Sequence, residues 1–270
     1  MADAPQPPDL DRYLARPGNA ERELLRFRSR DEPRVILDIG ACEGEDSIRY
    51  ARRFPRARVF AFEPLPANQA LIRANFARYG VSTAELVPFA LSDRTGEAVF
   101  HVSSGRPREE FAGRDWNYGN KSSSLRPPAG PDPMFGWIEF KETITVRTTT
   151  LDAFCRERGL DAIDLIHLDV QGAEHLVLAG AAAMLPRVAA VWLEVANQTV
   201  YQGQKLRPEI ERLLAAAGFQ LVFTIDRGAE GDQFHVSRRA AGARRYLARR
   251  RIASWLDRAR SALARLRRPR

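Results

Sequence analysis

The segment 35–64, which reads VILDIGACEGEDSIRYARRFPRARVFAFEP, is the part of the chain that most constrains its fold. An apolar run ends at Asp38 and turns through Gly40 and Gly44 into a helical pattern, and the next apolar run ends at Glu63. A strand that enters a helix through glycines brings backbone N–H groups close to a ligand. A carboxylate at the end of the second strand is suited to accept both hydroxyls of a ribose. The segment therefore predicts a strand–helix–strand unit that binds a nucleoside-bearing cofactor.

Acidic residues around the glycine loop favour one class of nucleoside cofactor. Nicotinamide dinucleotides place an anionic pyrophosphate over the helix N-terminus, usually at a G-x-G-x-x-G loop. This loop has two glycines and carries Asp38, Glu43, Glu45 and Asp46. These carboxylates would repel a pyrophosphate and attract the sulfonium and ammonium groups of S-adenosylmethionine. For Glu45 and Asp46 an alternative stays open, because acids in a first helical turn also complement the helix dipole.

Composition predicts a soluble enzyme with one main domain. The chain has 270 residues, of which 44% are hydrophobic and 28% are charged, and no apolar run reaches the length of about 18 residues that a membrane-spanning helix needs. The first 31 residues contain no apolar signal core, so we expect a cytoplasmic protein. The two cysteines, Cys42 and Cys155, exclude a disulfide framework and a zinc cluster, and we assign no metal ligands.

The net charge of +8 is distributed unevenly between the body of the chain and its C-terminal tail. Residues 238–270 contain thirteen arginines and one aspartate, or +12, so residues 1–237 carry 8 − 12 = −4. Apolar residues from Ile252 to Leu266 recur at helical spacing, with arginines on the other face. The pattern predicts an amphipathic helix that binds an anionic membrane surface. An alternative is a helix docked on the body or on another subunit; specific nucleic-acid binding is not favoured, because the body is acidic.

Alternating strand and helix patterns divide the chain into an N-terminal helical extension (1–30), an α/β domain (31–238) with a long loop (103–142), and the arginine-rich C-terminal helix (239–270). The repeated alternation predicts a mostly parallel sheet with helices on both faces. Beyond the first unit we predict helices at Ala67–Tyr79, 150–159, Ala173–Ala182 and Pro208–Ala217, a hairpin around Ala98–Val102, and strands at Glu85–Phe89, Thr143–Thr148, Ile163–Asp169, Val188–Val195, Phe219–Ile225 and Gln233–Ser237.

A second group of polar residues follows the later strands. The run IDLIHLDVQGAEH delivers Asp169 to the carboxyl end of its strand, and the next strand delivers Glu194 to the same edge, where open α/β sheets bind ligands. Two carboxylates in one cleft can share a proton, accept a proton from an alcohol, or hold a divalent cation, which the sequence does not require. His175 is a candidate third member, with a helical surface position as the alternative. We expect His167 to be a hydrogen-bonded core histidine and Glu174 to be either a functional residue or a helix cap.

Several motifs together resemble the FkbM-like family of S-adenosylmethionine-dependent methyltransferases. The resemblance spans 34–225, and its most specific element is LDVQGAE followed by VLAG. It implies a Rossmann-like, seven-stranded class I methyltransferase fold and O-methylation of a sugar hydroxyl in a glycan, a lipid-linked saccharide or a glycosylated metabolite. The motifs that carry it are DIGACEGEDS, AFEPLPAN, PFALSDRTGEAVF, KSSSL, TTTLDAFC, IDLIHLDVQGAEHLVLAG and WLEV.

The resemblance also implies roles for individual residues. The residues implied to bind the cofactor are Asp38, Gly40, Ala41 and Gly44 on the methionine side, Glu63 and Pro64 at the ribose, and Ala90, Leu91, Ser92 and Asp93 around the adenine. Asp169 and Glu174 would face the transferring methyl group. Cys42 stands where many members have asparagine.

We expect a substrate hydroxyl to attack the sulfonium methyl group in line, with Asp169 as the first candidate for the base and His175 or Glu194 as alternatives or partners. The segment 117–125, with Trp116 and Tyr118, is a candidate lid over a sugar ring, and an ordinary exposed loop is its alternative. Two other functions stay open at this point: an NAD-type oxidoreductase, and a non-catalytic scaffold that a membrane glycan-assembly complex recruits through the tail.

Overall fold

The computed structural model describes residues 9–105, 118–130 and 136–252. The described residues form ten strands: β1 (Val35–Ile39), β2 (Arg58–Phe62), β3 (Ala84–Val87), β4 (Ala90–Leu91), β5 (Gly96–Ser104), β6 (Glu139–Thr149), β7 (Leu165–Leu168), β8 (Ala190–Ala196), β9 (Phe219–Asp226) and β10 (Glu230–Ser237). They also form eight α-helices: α1 (Asp9–Ala15), α2 (Asn19–Phe27), α3 (Glu45–Arg53), α4 (Pro66–Arg78), α5 (Leu151–Arg158), α6 (Glu174–Ala179), α7 (Arg207–Ala216) and α8 (243–252).

Seven of the strands form one sheet in the order β3-β2-β1-β7-β8-β10-β9. Neighbouring strands run parallel, except that β10 pairs antiparallel with β8 and β9. This confirms the predicted seven-stranded, mostly parallel sheet. Asp38 of β1 is in register with Ala61 of β2 and His167 of β7, so the carboxyl ends of these strands lie side by side. Glu63 and Asp169 therefore follow their strands at the same edge of the sheet.

Alternate residues of the central strands pack on opposite faces of this sheet. Leu37 belongs to one core cluster and its neighbour Ile36 to the other, and both are fully buried. Helices α5, α6 and α7 cover the first face through Phe154, Val177 and Leu214. Helices α2, α3 and α8 cover the second face through Leu24, Tyr50 and Ala243. Helices on both faces were predicted, and each large apolar side chain buried between the layers contributes roughly 1.5–3 kcal/mol.

A second sheet, of three strands in the order β4-β6-β5, was not predicted. The predicted hairpin around Ala98–Val102 is wrong, because β5 pairs along its length with β6, which lies beyond the long loop. Local spacing did not reveal this pairing, because β5 and β6 are far apart along the chain and no short turn joins them. Phe100 and Val146 of this sheet pack on Leu65, directly after β2. The small sheet therefore lies at the carboxyl edge of the large one.

The predicted boundaries of two elements beside the site differ from the observed ones. The predicted strand Ile163–Asp169 is regular only from Leu165 to Leu168, and Ile163 forms an isolated bridge to Val188. The predicted helix Ala173–Ala182 ends at Ala179, and turns followed by a 3-10 helix, Leu185–Arg187, lead from Gly180 to the next strand. Asp169 consequently lies in the loop after β7, where its N–H still donates a 3.0 Å hydrogen bond to the carbonyl oxygen of Ile39.

The N-terminal extension and the start of the arginine-rich tail pack against each other. Ala243 and Tyr246 of α8 are buried against the cluster that contains Leu24 of α2. The Tyr246 hydroxyl donates a 3.0 Å hydrogen bond to Glu23, and Arg250 lies 3.6 Å from the same carboxylate. Over 243–252 the tail is therefore a helix docked on the body. The apolar positions predicted beyond Ile252 lie outside the described residues, and no helix among those described is long and apolar enough to cross a membrane.

Gly40 permits the close contact between the loops that follow β1 and β7. Its φ is +90°, and a Cβ atom added there would lie 1.8 Å from the carbonyl oxygen of Asp169. Gly80 also has a positive φ, +63°, but an added Cβ would meet nothing within 4 Å.

We expect Gly80→Ala to cost about 1 kcal/mol of unfolding free energy, the penalty of the left-handed backbone alone. Gly40→Ala should cost about 3 kcal/mol or more, measured by urea denaturation, because the two loops must separate. Equal losses in the two variants would contradict this contact.

Candidate active site

Two adjoining cavities lie at the carboxyl edge of the large sheet. The apolar cavity has about 520 Å³ of free space, part of it open to solvent, and the acidic cavity has about 430 Å³. Gly40, Cys42, Lys121 and Asp169 line both cavities. The other residues of the apolar cavity are Ile39, Phe62, Glu63, Pro64, Asn68, Ala90, Leu91, Phe100, Asn120, Ser123, Leu125, Val170 and Gln171, and those of the acidic cavity are Asp38, Ala41, Glu45, Asp46 and His167.

Asp38 is the most deeply buried carboxylate of the acidic cavity. The Ser47 hydroxyl donates a 2.6 Å hydrogen bond to it, and His167 Nδ1 lies 3.8 Å away. Burial raises the pKa of Asp38 to about 7, although His167 and Ser47 act in the opposite direction. Burial alone would lower the pKa of His167, but Asp46, Asp38 and Asp169 outweigh it and raise the pKa. His167, expected to be a core histidine, does have a 3.0 Å partner in the Tyr50 hydroxyl, yet it lines the cavity.

The acids of the glycine loop hold other parts of the chain. Glu43 accepts a 3.2 Å hydrogen bond from Asn120 and lines neither cavity. Glu45 forms a 2.5 Å ion pair with Lys121. Burial alone would lower the pKa of Lys121, but the charge of Glu45 outweighs burial and raises this pKa. Asp46 accepts a hydrogen bond from the Tyr13 hydroxyl and lies 3.2 Å from Arg49. The predicted surplus of free carboxylates is therefore partly neutralised by the protein. Asp38 and Asp169 also line the acidic cavity, with His167 as their nearest basic side chain there.

Glu63 faces the apolar cavity at the end of β2. Its two carboxylate oxygens accept backbone hydrogen bonds from Cys42, at 2.9 Å, and from Leu65, at 2.8 Å. Burial raises the pKa of Glu63 to about 7 against the effect of these hydrogen bonds. The carboxylate is thus fixed in one orientation, with lone pairs left for a ligand.

Only two of the four residues predicted around the adenine line the apolar cavity. Ala90 and Leu91 line the apolar cavity beside Pro64, whereas Ser92 and Asp93 do not. Ser92 is buried and donates a 3.1 Å hydrogen bond to Asp93, which is exposed. Gly44 does not line either cavity. It is the N-cap of α3 and has a left-handed backbone conformation, with φ +79°.

Cys42 adopts a left-handed backbone conformation, with φ +49°. Asparagine tolerates this conformation better than cysteine does, which fits the asparagine that the resemblance implies for this position. Burial raises the pKa of the Cys42 thiol well above its ordinary value. A thiol kept protonated is a poor nucleophile, so the side chain fills the cavity wall.

Asp169 and Glu194 do converge, and Gln171 joins them. The Gln171 amide nitrogen donates at 2.6 Å to Asp169 and at 2.8 Å to Glu194. Tyr201 holds the other end of that amide through a 3.1 Å hydrogen bond to Gln171 Oε1. Burial raises the pKa of Asp169, and burial followed by the charge of Asp169 raises the pKa of Glu194 further. Gln171 was not among the predicted site residues, although it belongs to the LDVQGAE motif.

Glu174 and His175 do not lie on the cavity walls. Glu174 accepts backbone hydrogen bonds from Val170 and Gly172, each at 3.2 Å, so it shapes the loop after β7. Burial raises the pKa of Glu174 to about 7. His175 Nε2 lies 2.8 Å from Arg126 Nη2 and must accept its proton, because a guanidinium only donates. Burial, and then Arg126, lowers the pKa of His175. The arrangement favours Asp169 over both as a proton acceptor.

The KSSSL segment forms a wall of the apolar cavity. Lys121, Ser123 and Leu125 line it, and Ser124 is fully buried, with a 2.6 Å hydrogen bond to the carbonyl oxygen of Gln171. The segment is therefore packed, unlike an ordinary exposed loop. Trp116 and Asn117, predicted to belong to a lid, lie outside the described residues.

Several wall residues of the apolar cavity were not singled out by sequence reasoning, among them Asn68 and Phe100. Asn68 forms a 2.9 Å hydrogen bond with Asn120, which belongs to the predicted lid segment 117–125, and Phe100 comes from the small sheet. Asn68 and Phe100 end the motifs AFEPLPAN and PFALSDRTGEAVF, which were the usable signals. Among residues 9–105, 118–130 and 136–252, no group of three or more potential ligands is arranged to hold a metal ion.

Comparisons with known proteins relate the chain to methyltransferases. It is 36% identical over 211 residues to the 2-O-methyltransferase NoeI of Sinorhizobium fredii (strain NBRC 101917 / NGR234), covering 78% of this chain and 82% of that protein. It is 30% identical over 223 residues to the 31-O-demethyl-FK506 methyltransferase FkbM of Streptomyces tacrolimicus, covering 77% and 82%. Among solved structures, the precorrin-6y C5,15-methyltransferase from Geobacter metallireducens GS-15 aligns with a TM-score of 0.42, 14% identity, and coverage of 80% and 84%.

The model of the methyltransferase FkbM domain matches residues 38–221, a range that contains the glycine loop, Glu63, the KSSSL segment and Asp169. The match covers more than half of the chain, and the relatives cover more than two thirds of it. With its seven-stranded, mostly parallel sheet, the chain is a class I methyltransferase and belongs to the FkbM family of S-adenosylmethionine-dependent enzymes.

Proposed function

We propose that the protein transfers the methyl group of S-adenosylmethionine to a hydroxyl of a sugar in a glycan, a lipid-linked saccharide or a glycosylated metabolite. The observation that carries the proposal is the meeting of an apolar and an acidic cavity at Gly40 and Asp169. The cofactor has the same division, with a nucleoside at one end and a cationic sulfonium and amino-acid portion at the other. Likeness to a 2-O-methyltransferase supports oxygen as the methylated atom.

The residues of the apolar cavity fit a nucleoside. Leu91 and Phe100 offer apolar surface for a base, and Glu63 offers acceptor lone pairs for ribose hydroxyls. Asn120 Oδ1 is buried and has no hydrogen-bond partner among the described residues. A buried acceptor without a donor costs about 1–3 kcal/mol, and a hydroxyl or amine of a ligand would remove that cost. These features support binding of the adenosine portion here.

The residues of the acidic cavity fit a cation. Asp38 and Asp46 would face the ammonium group of the cofactor, and Asp169, on the wall of both cavities, would lie nearest the sulfonium. The bound cofactor supplies a methyl group that is already activated for transfer. The protein then has to exclude water, align the acceptor oxygen with that methyl group, and hold the hydroxyl proton.

Asp169 is the residue that we propose to hold this proton. Burial raises the pKa of Asp169, which makes it a stronger base than an exposed aspartate. Gln171 binds both carboxylates and so fixes the orientation of Asp169. The role of Gln171 is orientation, because a side-chain amide does not accept a proton at neutral pH.

The first test compares surface glycans from cells that lack the gene and carry wild-type, Asp169→Asn or Asp161→Asn protein, Asp161 being an exposed aspartate that lines neither cavity. We expect glycans with the wild type and with Asp161→Asn to be heavier by one CH2 per methylated site. Asp169→Asn should abolish this difference, since loss of a proton acceptor slows transfer by about 10²–10⁴-fold. Mass spectrometry of released glycans measures the difference. Full methylation by Asp169→Asn would remove Asp169 from the mechanism, and unchanged glycans in all strains would contradict a surface-glycan acceptor.

Raised carboxylate pKa values predict how pH affects the free protein. Asp38, Glu63 and Glu174 have pKa values of about 7 in the folded chain, above the ordinary values of unfolded acids, so the folded state holds more protons. Their stabilising effect is complete below the unfolded pKa values of about 4 and is lost as pH rises from there through about 7. Tm should therefore fall from about pH 4.5, go on falling between pH 6.5 and 8.5 and level off at the upper end, by about 2–4 °C for each kcal/mol lost.

Saturating S-adenosylmethionine should reduce this fall, because a cation in the acidic cavity favours ionised Asp38. Differential scanning fluorimetry across this pH range measures both effects. Asp38→Asn is the matched variant, and its Tm should depend less on pH. A Tm that stays constant or rises from pH 6.5 to 8.5 in the wild-type protein would contradict the proposed protonation of these acids.

We also propose that residues 239–270 bind an anionic membrane surface. Over 243–252, Ala243 and Tyr246 point into the body, while Arg244, Arg245 and Arg249 are exposed on the outer side of α8. Basic residues near an anionic surface contribute about 1 kcal/mol each. The docked helix thus leaves its arginine face available, and six further arginines follow Ile252 in the sequence.

A truncation after Ile252 tests membrane binding and keeps the buried residues of α8 in place. We expect full-length protein to sediment with phosphatidylserine-containing vesicles and the truncated chain to bind at least about tenfold more weakly, because six arginines are lost. Neutral phosphatidylcholine vesicles and high salt are the controls, and both should reduce binding of the full chain. Equal sedimentation of both proteins with anionic vesicles would refute a role for 253–270.

A further inference from the structure

Helix α1 lies outside the matched family domain and yet contacts the elements around the acidic cavity. Leu10 is buried, and Asp11 forms a 2.9 Å ion pair with Arg78 at the end of α4. Asp11 also accepts a hydrogen bond from the Tyr79 hydroxyl. The family match begins at residue 38, so none of these contacts follows from it.

Tyr13 of α1 is the residue that reaches the cavity wall. Its hydroxyl oxygen lies 2.9 Å from both carboxylate oxygens of Asp46. The guanidinium carbon of Arg49 lies 3.3 Å from the centre of the Tyr13 ring, and the same guanidinium donates to the Tyr13 carbonyl oxygen. Arg49 also lies 3.2 Å from Asp46. Tyr13 and Arg49 therefore hold one carboxylate from two sides.

Asp46 lines the acidic cavity and lies 4.0 Å from His167 Nδ1 on its other side. Burial, and then the charge of Asp46, raises the pKa of Tyr13 well above its ordinary value. The phenol therefore stays protonated at neutral pH and donates to the carboxylate. A hydrogen bond to a charged group stabilises one side-chain orientation more strongly than a bond between neutral groups does.

We propose that Tyr13 is a positioning residue of the cofactor site, which orients Asp46 toward the ammonium group of the amino-acid portion of S-adenosylmethionine. The inference rests on the proposed binding of that portion in the acidic cavity. It makes the N-terminal helix a functional part of a site that otherwise lies within residues 38–221. Without the Tyr13 hydroxyl, Asp46 loses the partner that both of its oxygens share, and Arg49 holds the carboxylate from one side only.

The test is calorimetric binding of two ligands to the full chain. S-adenosylhomocysteine carries the amino-acid portion, whereas 5′-methylthioadenosine lacks it. We expect Tyr13→Phe to weaken binding of S-adenosylhomocysteine by roughly fivefold to tenfold, because one hydrogen bond to a charged group is lost. The affinity for 5′-methylthioadenosine should stay within about twofold of the wild-type value. In an Asp46→Asn background, Tyr13→Phe should have no further effect on either ligand.

Tyr79→Phe is the matched control, because it also removes a phenol that binds α1 but contacts Asp11, away from both cavities. It should leave both affinities within about twofold of the wild type. Equal weakening of both ligands by Tyr13→Phe, or no weakening of either, would overturn the positioning role. Wild-type protein that binds neither ligand would instead refute the proposed cofactor site, so the two failures are distinguishable.

Discussion

The close approach of Gly40 to the backbone of Asp169 is the constraint on which the rest of the site depends. The parallel pairing of β1 with β7 continues past the strand ends, where the Asp169 N–H donates a 3.0 Å hydrogen bond to Ile39. Only a residue without a Cβ leaves room for the two loops at that distance. The contact places Asp169 on the wall of both cavities, so one short strand pair determines where cofactor and acceptor would meet.

Around this contact, the acids of the glycine loop connect the site to distant parts of the chain. Glu43 binds Asn120, Glu45 binds Lys121, and Asp46 binds Tyr13. A buried carboxylate needs such partners, since an unpaired one is costly to remove from water. The loop is therefore held by the KSSSL segment on one side and by the N-terminal helix on another. Burial at the same place raises the pKa values of Asp38 and Asp169 in the acidic cavity.

Sequence patterns predicted those parts of the molecule whose residues are neighbours along the chain. The apolar run that contains Ile36 and Leu37 predicted the first central strand, and the ends of two later strands placed Asp169 and Glu194 at one edge. The small sheet was not predictable in this way, because β5 and β6 pair across the long loop and neither carries a turn that joins them. Phe100 reaches the cavity through that pairing, so its place on the cavity wall could not be predicted from local spacing.

The sequence by itself determined the class of fold, the family, and the set of carboxylates from which a site could be built, because these depend on local periodicity and on motifs of contiguous residues. The tertiary structure alone decided how those carboxylates are used. Asp169 and Glu174 stand five positions apart in one motif, yet Asp169 lines both cavities while Glu174 binds the backbone of its own loop. The difference arises from hydrogen bonds and burial that exist only when separate elements pack together, and spacing along the chain does not encode them.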